Sequence, residues 1–211
     1  MLQVMLIGGT ETTAITMEWA LSLMLNRAST LRKAHEEIQN RIGKSNRLID
    51  DSDLNHLPYI QAIISETLRM YPAAALIGHH EASKDCTVGG YHIPRGTILF
   101  VNVRAMQNDP KFWEEPTKFK PERFLNVDDK EGFGFNFLPF SYGRRGCPGE
   151  PSARRVIGLT LGLLVQCFEW TRISEELLDL SEGPGLNIPR GTPLLAKCKP
   201  RPEMVGLFSH S

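Results

Sequence analysis

One cysteine in this 211-residue chain stands among neighbours that could make it a metal ligand. The stretch Phe140-Ser141-Tyr142-Gly143-Arg144-Arg145-Gly146-Cys147-Pro148-Gly149 is a glycine-rich loop leading into an apolar, helix-forming run. A helix N-terminus offers unpaired N–H groups and a positive partial charge. Both favour thiolate over thiol, and thiolate is the form that binds metal. Gly143 and Gly149 let backbone come close to a flat, bulky ligand. Arg145 can fork onto a carboxylate of that ligand. Together these features describe a thiolate ligand for haem iron. The competing reading is a structural cysteine held in a loop. A zinc site built from Cys147 and nearby His residues lacks the usual ligand spacing, because no C-x-x-C pair occurs.

Three further groupings carry possible chemistry. Glu66 and Arg69 stand i, i+3 on a helix, where they share a face. Taken alone, such a pair is an ordinary surface bridge of about 0.3–0.5 kcal/mol. Gly8-Gly9-Thr10-Glu11-Thr12-Thr13 lies in the first helical run. Two glycines relax a helix and a Thr hydroxyl can bond back to the preceding turn, opening a groove. The plainer alternative is a patch of small residues for packing. His80, in Gly78-His79-His80-Glu81, is either a partner for a ligand carboxylate or a satisfied surface histidine.

These segments, in this order, resemble cytochrome P450. That family's haem-thiolate pattern, F-x-x-G-x-R-x-C-x-G, is matched by Phe140, Gly143, Arg145, Cys147 and Gly149. Its E-x-x-R pair is matched by Glu66 and Arg69, and Arg123 in Pro121-Glu122-Arg123-Phe124 is the implied third member of a buried structural network. The resemblance implies haem b (iron protoporphyrin IX) with Cys147 as axial ligand, and Gly9 beside it on the distal helix. Arg145 and His80 become propionate partners. Thr12 becomes the alcohol that steers protons to bound oxygen, and Glu11 its acid neighbour. Asn102 to Pro110 resembles the plant stretch N-x-W-A-x-x-R-D-P, with Arg104 in place of Trp and Asn108 in place of Arg. Phrases such as Leu57-Pro58-Tyr59-Ile60-Gln61 look like plant microsomal flavonoid and isoflavonoid hydroxylases.

The elements that must position these residues follow from apolar spacing. Residues 2 to 25 read as an all-round apolar helix, hence a buried one. A second helix is predicted over Leu31 to Ile42, capped by Ser29 or Thr30 and stopped by Gly43. A turn follows near Asp51 to Leu54. A third helix starts at Pro58 and ends before Tyr71-Pro72, with Ile60, Ile63, Ile64 and Leu68 facing inward. Cys86 to Ile93 reads as a hairpin about Gly89-Gly90, and Thr97 to Val103 as a strand. Gln107 to Pro148 reads as long irregular loop, a length usually tied to function. A fourth helix is predicted from about Ser152 to Cys167, followed by short edge strands and turns. Cys86, Cys167 and Cys198 read as thiols without motif context.

Composition bounds the rest. Hydrophobic residues make up 41% and charged residues 23%, which supports a packed core and excludes general disorder. Twenty-four basic residues balance 24 acidic ones, so no global field attracts nucleic acid or anionic lipid. No run is long and clean enough to be a transmembrane segment, and no basic region precedes Arg27 as a signal peptide requires. The expected fold is mainly α with small β-sheets. It corresponds to the C-terminal half of the cytochrome P450 fold as one partial domain over residues 1–211, with the N-terminal half and membrane anchor absent. Apolar surface meant for the other half is then expected to be exposed. The resemblance implies a haem-thiolate monooxygenase, or a fragment of one, that uses O2 on a small apolar substrate of plant secondary metabolism. NADPH-cytochrome P450 reductase is the implied electron donor. The implied location is the endoplasmic reticulum membrane for full-length members, and the cytoplasm for an anchorless chain. The alternative is an inactive remnant that binds haem weakly or not at all.

Overall fold

Four long helices form the body of the chain in a computed structural model that describes residues 2–43, 47–125 and 132–208. They are α1 (Leu2–Asn26), α2 (Ala28–Ile42), α3 (Pro58–Met70) and α5 (Glu150–Cys167). Two short helices among the described residues are α4 (Val103–Met106) and α6 (Val205–Phe208). Helices α1, α2 and α5 all pack against α3.

Helix α3 is the most enclosed element. Ile60 and every residue from Ala62 to Met70 is buried, not only the inward face that the apolar spacing predicted. A helix hydrophobic or satisfied on all sides can be central. Its N-terminal N–H groups are capped by a neighbouring helix, with Tyr59 N and Ile60 N donating to the Glu37 carboxylate at 2.7 and 3.1 Å. Pro58 sits in the first turn, where its missing N–H costs nothing.

Helix α1 differs from its expectation. It is buried from Ile15 to Leu25, apart from the partly exposed Met17 and Glu18. Leu6 and Ile7, by contrast, are 60% and 69% exposed. The half bearing the glycines is open to solvent. Helix α2 begins at Ala28 rather than Leu31, and Arg27, not Ser29 or Thr30, precedes it without a side-chain cap. Arg27 N still bonds to Leu23 O and Met24 O, so only one residue separates the two helices.

Three two-stranded antiparallel sheets flank the helices. Strand β1 (Leu76–Glu81), which apolar spacing did not reveal, pairs with β4 (Ile98–Asn102), with a bulge between Ile77 and His80. Strands β2 (Cys86–Val88) and β3 (Tyr91–Ile93) form the expected hairpin. Its turn residues Gly89 and Gly90 have φ of 57° and 87°, the left-handed pair that a two-residue hairpin turn requires. Strand β5 (Phe168–Arg172) continues directly from α5 and pairs with β6 (Ala196–Pro200). Ile98, Leu99 and Phe100 are each more than half exposed. Among the described residues no helix is long and apolar enough to cross a membrane.

The predicted long loop from Gln107 to Pro148 has internal structure where it is described. It contains 3-10 turns at Pro121–Phe124, Gly134–Asn136 and Gly143–Arg145. It also supplies an aromatic cluster in which Trp113 stacks on Phe133 at 4.8 Å and Phe124 lies 5.0 Å from Phe137.

Candidate functional site

The site begins with a charge buried on α3. The side chains of Glu66 and Arg69 are both 0% exposed. Arg69 Nε donates to Glu66 Oε2 at 2.7 Å, and Nη2 donates to Oε1 at 3.0 Å. Glu66 Oε1 also accepts from Arg123 Nε at 3.1 Å and from Lys120 N at 2.9 Å. The remaining Arg69 donors reach backbone, Nη1 to Gln107 O at 2.9 Å and Nη2 to Pro116 O at 2.8 Å. The guanidinium lies 5.2 Å from the Trp113 ring centre. A buried carboxylate with this many donors is fully hydrogen-bonded, which is how buried charges are tolerated. The surface-bridge reading of the Glu66–Arg69 pair therefore fails. The segment from Pro116 to Phe124 has folded over it.

The cysteine loop is closed by its own backbone. Cys147 N donates to Phe140 O at 2.8 Å, closing the loop, and Gly146 N donates to Gly143 O at 2.9 Å inside it. Gly143 has φ +74°, a left-handed conformation in which a side chain would be strained. Ser141 holds φ 65° without being glycine, so this loop stores backbone strain. Gly149 is the residue before α5, and a Cβ there would touch Cys147 Sγ at 3.7 Å. The Cys147 residue is exposed. A cavity of about 460 Å³ is lined by Phe137, Phe140, Gly143, Cys147, Glu150 and Arg154. Arg154 lies over the Phe140 ring at 5.4 Å and donates to Ser65 Oγ at 3.3 Å, tying the loop to α3.

The other predicted site residues are placed as follows. Arg145 ends the 3-10 turn, exposed and with no ion pair among the described residues. On α1, Thr12 Oγ1 donates to Gly8 O at 2.6 Å and Thr13 Oγ1 to Gly9 O at 2.7 Å, the back-bonding expected of a Thr after glycine. Glu11 is exposed. A Cβ built on Gly8 or Gly9 meets nothing within 4 Å. The helix nonetheless continues without a break through this segment. No hydrogen bond among the described residues joins Glu11 or Thr12 to the cysteine loop. His80 sits half-buried on β1 opposite Leu99. Of the substituted positions, Arg104 pairs with Glu182 at 2.8 Å and lies over the Tyr71 ring at 5.3 Å. Asn108 Oδ1 accepts from Arg69 Nη1 at 3.4 Å, so it joins the buried network.

The donor set fits haem. Among the described residues no group of three or more His, Cys, Asp or Glu converges as a metal cluster would require. A lone thiolate can hold a metal ion whose other ligands come from a macrocycle. Arg145 has no ion pair among the described residues and its guanidinium is of the type that forks onto a carboxylate. Around Gly8, Gly9 and Gly143 a Cβ would meet nothing within 4 Å, which leaves open space beside the backbone. Two contributors escaped the sequence reading. Gln107 had no motif signal, while Arg154 stands i+4 from Glu150, a spacing that was visible but common.

Residues 1–195 match the family model described as cytochrome P450. A cytochrome P450 from Catharanthus roseus is 53% identical over 200 residues, which is 95% of this chain and 39% of that protein. An isoflavone 3'-hydroxylase from Medicago truncatula is 48% identical over 202 residues, covering 96% of this chain and 39% of the relative. A zebra fish cytochrome P450 structure with abiraterone superimposes with a TM-score of 0.86 at 31% identity, over 95% of this chain and 46% of that one. The chain thus spans about two-fifths of the length of the curated relatives it matches.

Proposed function

The chain belongs to the cytochrome P450 family, and on that premise we propose that it is the haem-ligating part of a monooxygenase that hydroxylates a small apolar plant metabolite. Isoflavone-like phenolics are the substrate class suggested by the named relatives. The observation that carries this reading is the loop joining Phe140 O to Cys147 N beside a cavity, with the buried Glu66–Arg69–Arg123 network behind it. Bound haem would supply the activation of O2 and the oxygen transfer. The chain's own residues supply the rest. Cys147 would hold the metal as thiolate, and Arg145, with His80 as a second candidate, would meet the propionates. Phe140 and the aromatic cluster behind it keep water from the thiolate side. Thr12 uses its O–H toward Gly8 O, which leaves its lone pairs free to accept and order a proton donor above the haem, with Glu11 as the nearby acid. Electrons come from a reductase at the endoplasmic reticulum membrane, where relatives of this type are expected to work.

Isotopically heavy O2 supplied to the protein at its relatives' full length, with reductase and an isoflavone, tests the reading. One labelled oxygen atom should appear in the hydroxylated product. Label entering only from water would contradict monooxygenation. No haem uptake and no product would favour the inactive remnant.

A further inference from the structure

Gln107 is 0% exposed and uses every polar atom it carries. It closes the C-terminal end of α4, where Gln107 N donates to Val103 O at 2.9 Å. The other end of α4 is capped by Asn102 Oδ1, which accepts from Ala105 N at 2.9 Å. The backbone of Gln107 is therefore held in place from both sides. Its carbonyl accepts from Arg69 Nη1 at 2.9 Å, which places it in the buried network. Its side-chain Nε2 donates to Leu68 O at 2.9 Å and Arg69 O at 3.2 Å, two carbonyls at the end of α3 that have no helical partner beyond. Its Oε1 accepts from Leu138 N at 2.8 Å. Leu138 lies two residues before Phe140, whose carbonyl holds Cys147 N.

We propose that Gln107 is a positioning residue for the thiolate: one amide couples the Glu66–Arg69 network and the end of α3 to the chain entering the Cys147 loop. The inference rests on the proposal that Cys147 is the haem ligand. It assigns a role to a position that the plant stretch N-x-W-A-x-x-R-D-P leaves unspecified. The path runs Glu66, Arg69, Gln107, Leu138, Phe140, Cys147, and each step that is not covalent is a bond of 2.7–3.0 Å. A short polar side chain on a pinned backbone has little freedom, so displacement at α3 is passed to the loop rather than absorbed.

Hydrogen exchange on the full 211-residue chain tests this, read on peptides covering residues 138–149, α3 and α5. In the wild type, the Leu138 and Cys147 amides should both exchange slowly. Fast exchange at Leu138 would overturn the proposal without any variant. Gln107→Met keeps the length and removes both donor and acceptor. It should speed exchange of loop peptides that begin several residues before Leu138 and run to Gly149 roughly tenfold to hundredfold, the size expected for a buried N–H left unpaired, while α5 is unchanged. Gln107→Glu keeps an acceptor for Leu138 N and should preserve loop protection near the wild-type level. Equal acceleration everywhere in Gln107→Met, or loop loss as large in Gln107→Glu as in Gln107→Met, would make Gln107 a general support and sink its positioning role. With haem bound, Gln107→Met should show a larger share of carbonyl complex without the thiolate band. A wild type lacking that band would remove the ligand assignment, while the exchange data still decide whether Gln107 tethers the loop.

Discussion

Arg69 grips Glu66 through two hydrogen bonds, 2.7 and 3.0 Å long, with neither side chain exposed to solvent. Both residues also face outward from their pair. Arg69 reaches the carbonyls of Gln107 and Pro116, and Glu66 accepts from Arg123 and Lys120. The pair is therefore a junction where α3 meets the segment leading to the cysteine loop.

Glu66→Ala should cost about 3–5 kcal/mol of folding stability, because two guanidiniums would be left without their shared carboxylate. Urea denaturation of wild type and variant measures it. A loss below about 1 kcal/mol would mark the pair as no better than a surface bridge.

Asp53 gives a pH-dependent contribution of known sign. Arg47 donates to it at 2.7 and 2.8 Å, and Asp50 N adds a third bond. The Arg47 hydrogen bonds, more than any other cause, hold its carboxyl at about 2, below the ordinary 3.8. A depressed native value means the contribution is complete above 3.8 and fades as pH falls through about 2. The stability gap between wild type and Asp53→Asn should therefore shrink over that window. A gap independent of pH from 5 downward, on the order of two units past the ordinary value, would contradict the assignment. The effect reaches α5, since Gln166 Nε2 donates to Arg47 O and Gln166 Oε1 accepts from Ile49 N.

Local chemistry was legible in the sequence, and enclosure was not. The Phe140–Gly149 motif singled out Cys147 by residue types at fixed offsets, and those residues do form one loop, closed by Cys147 N on Phe140 O. The same i, i+3 spacing as Glu66 and Arg69 occurs on many exposed helices. Their burial depends on the chain around Pro116 to Phe124 folding back, which no local pattern records. Gln107 was invisible for the same reason, since its four bonds outside α4 reach three residues, Leu68, Arg69 and Leu138, that are 31 to 39 residues away. Strand β1 was missed because Gly78 and His79-His80 break the alternation that marks a strand, and its register also carries a bulge. Helix α1 was read as wholly buried because apolar spacing says that a surface is apolar, not that something covers it.

Thr12 is proposed to order protons rather than to bind haem. In a chain of the relatives' full length, Thr12→Ala should leave the haem spectrum nearly unchanged. Product per electron pair should fall, with reducing equivalents lost to hydrogen peroxide. Acid–base groups of this kind contribute ~10²–10⁴-fold, so the loss is large enough to measure. Thr12→Ser keeps the hydroxyl and should retain much of the coupling. Equal coupling in all three proteins would return Gly8 to Thr13 to a packing role.

The absorption spectrum of the reduced, carbon monoxide-bound protein, recorded for wild type beside Cys147→Ser, tests the account most directly. A serine hydroxyl is too weakly acidic to replace the thiolate as an anionic ligand. The wild type should show the red-shifted band of thiolate-bound haem, and Cys147→Ser should lack it even if haem is retained. A Cys147→Ser protein that keeps the thiolate band would show that the ligand is not Cys147.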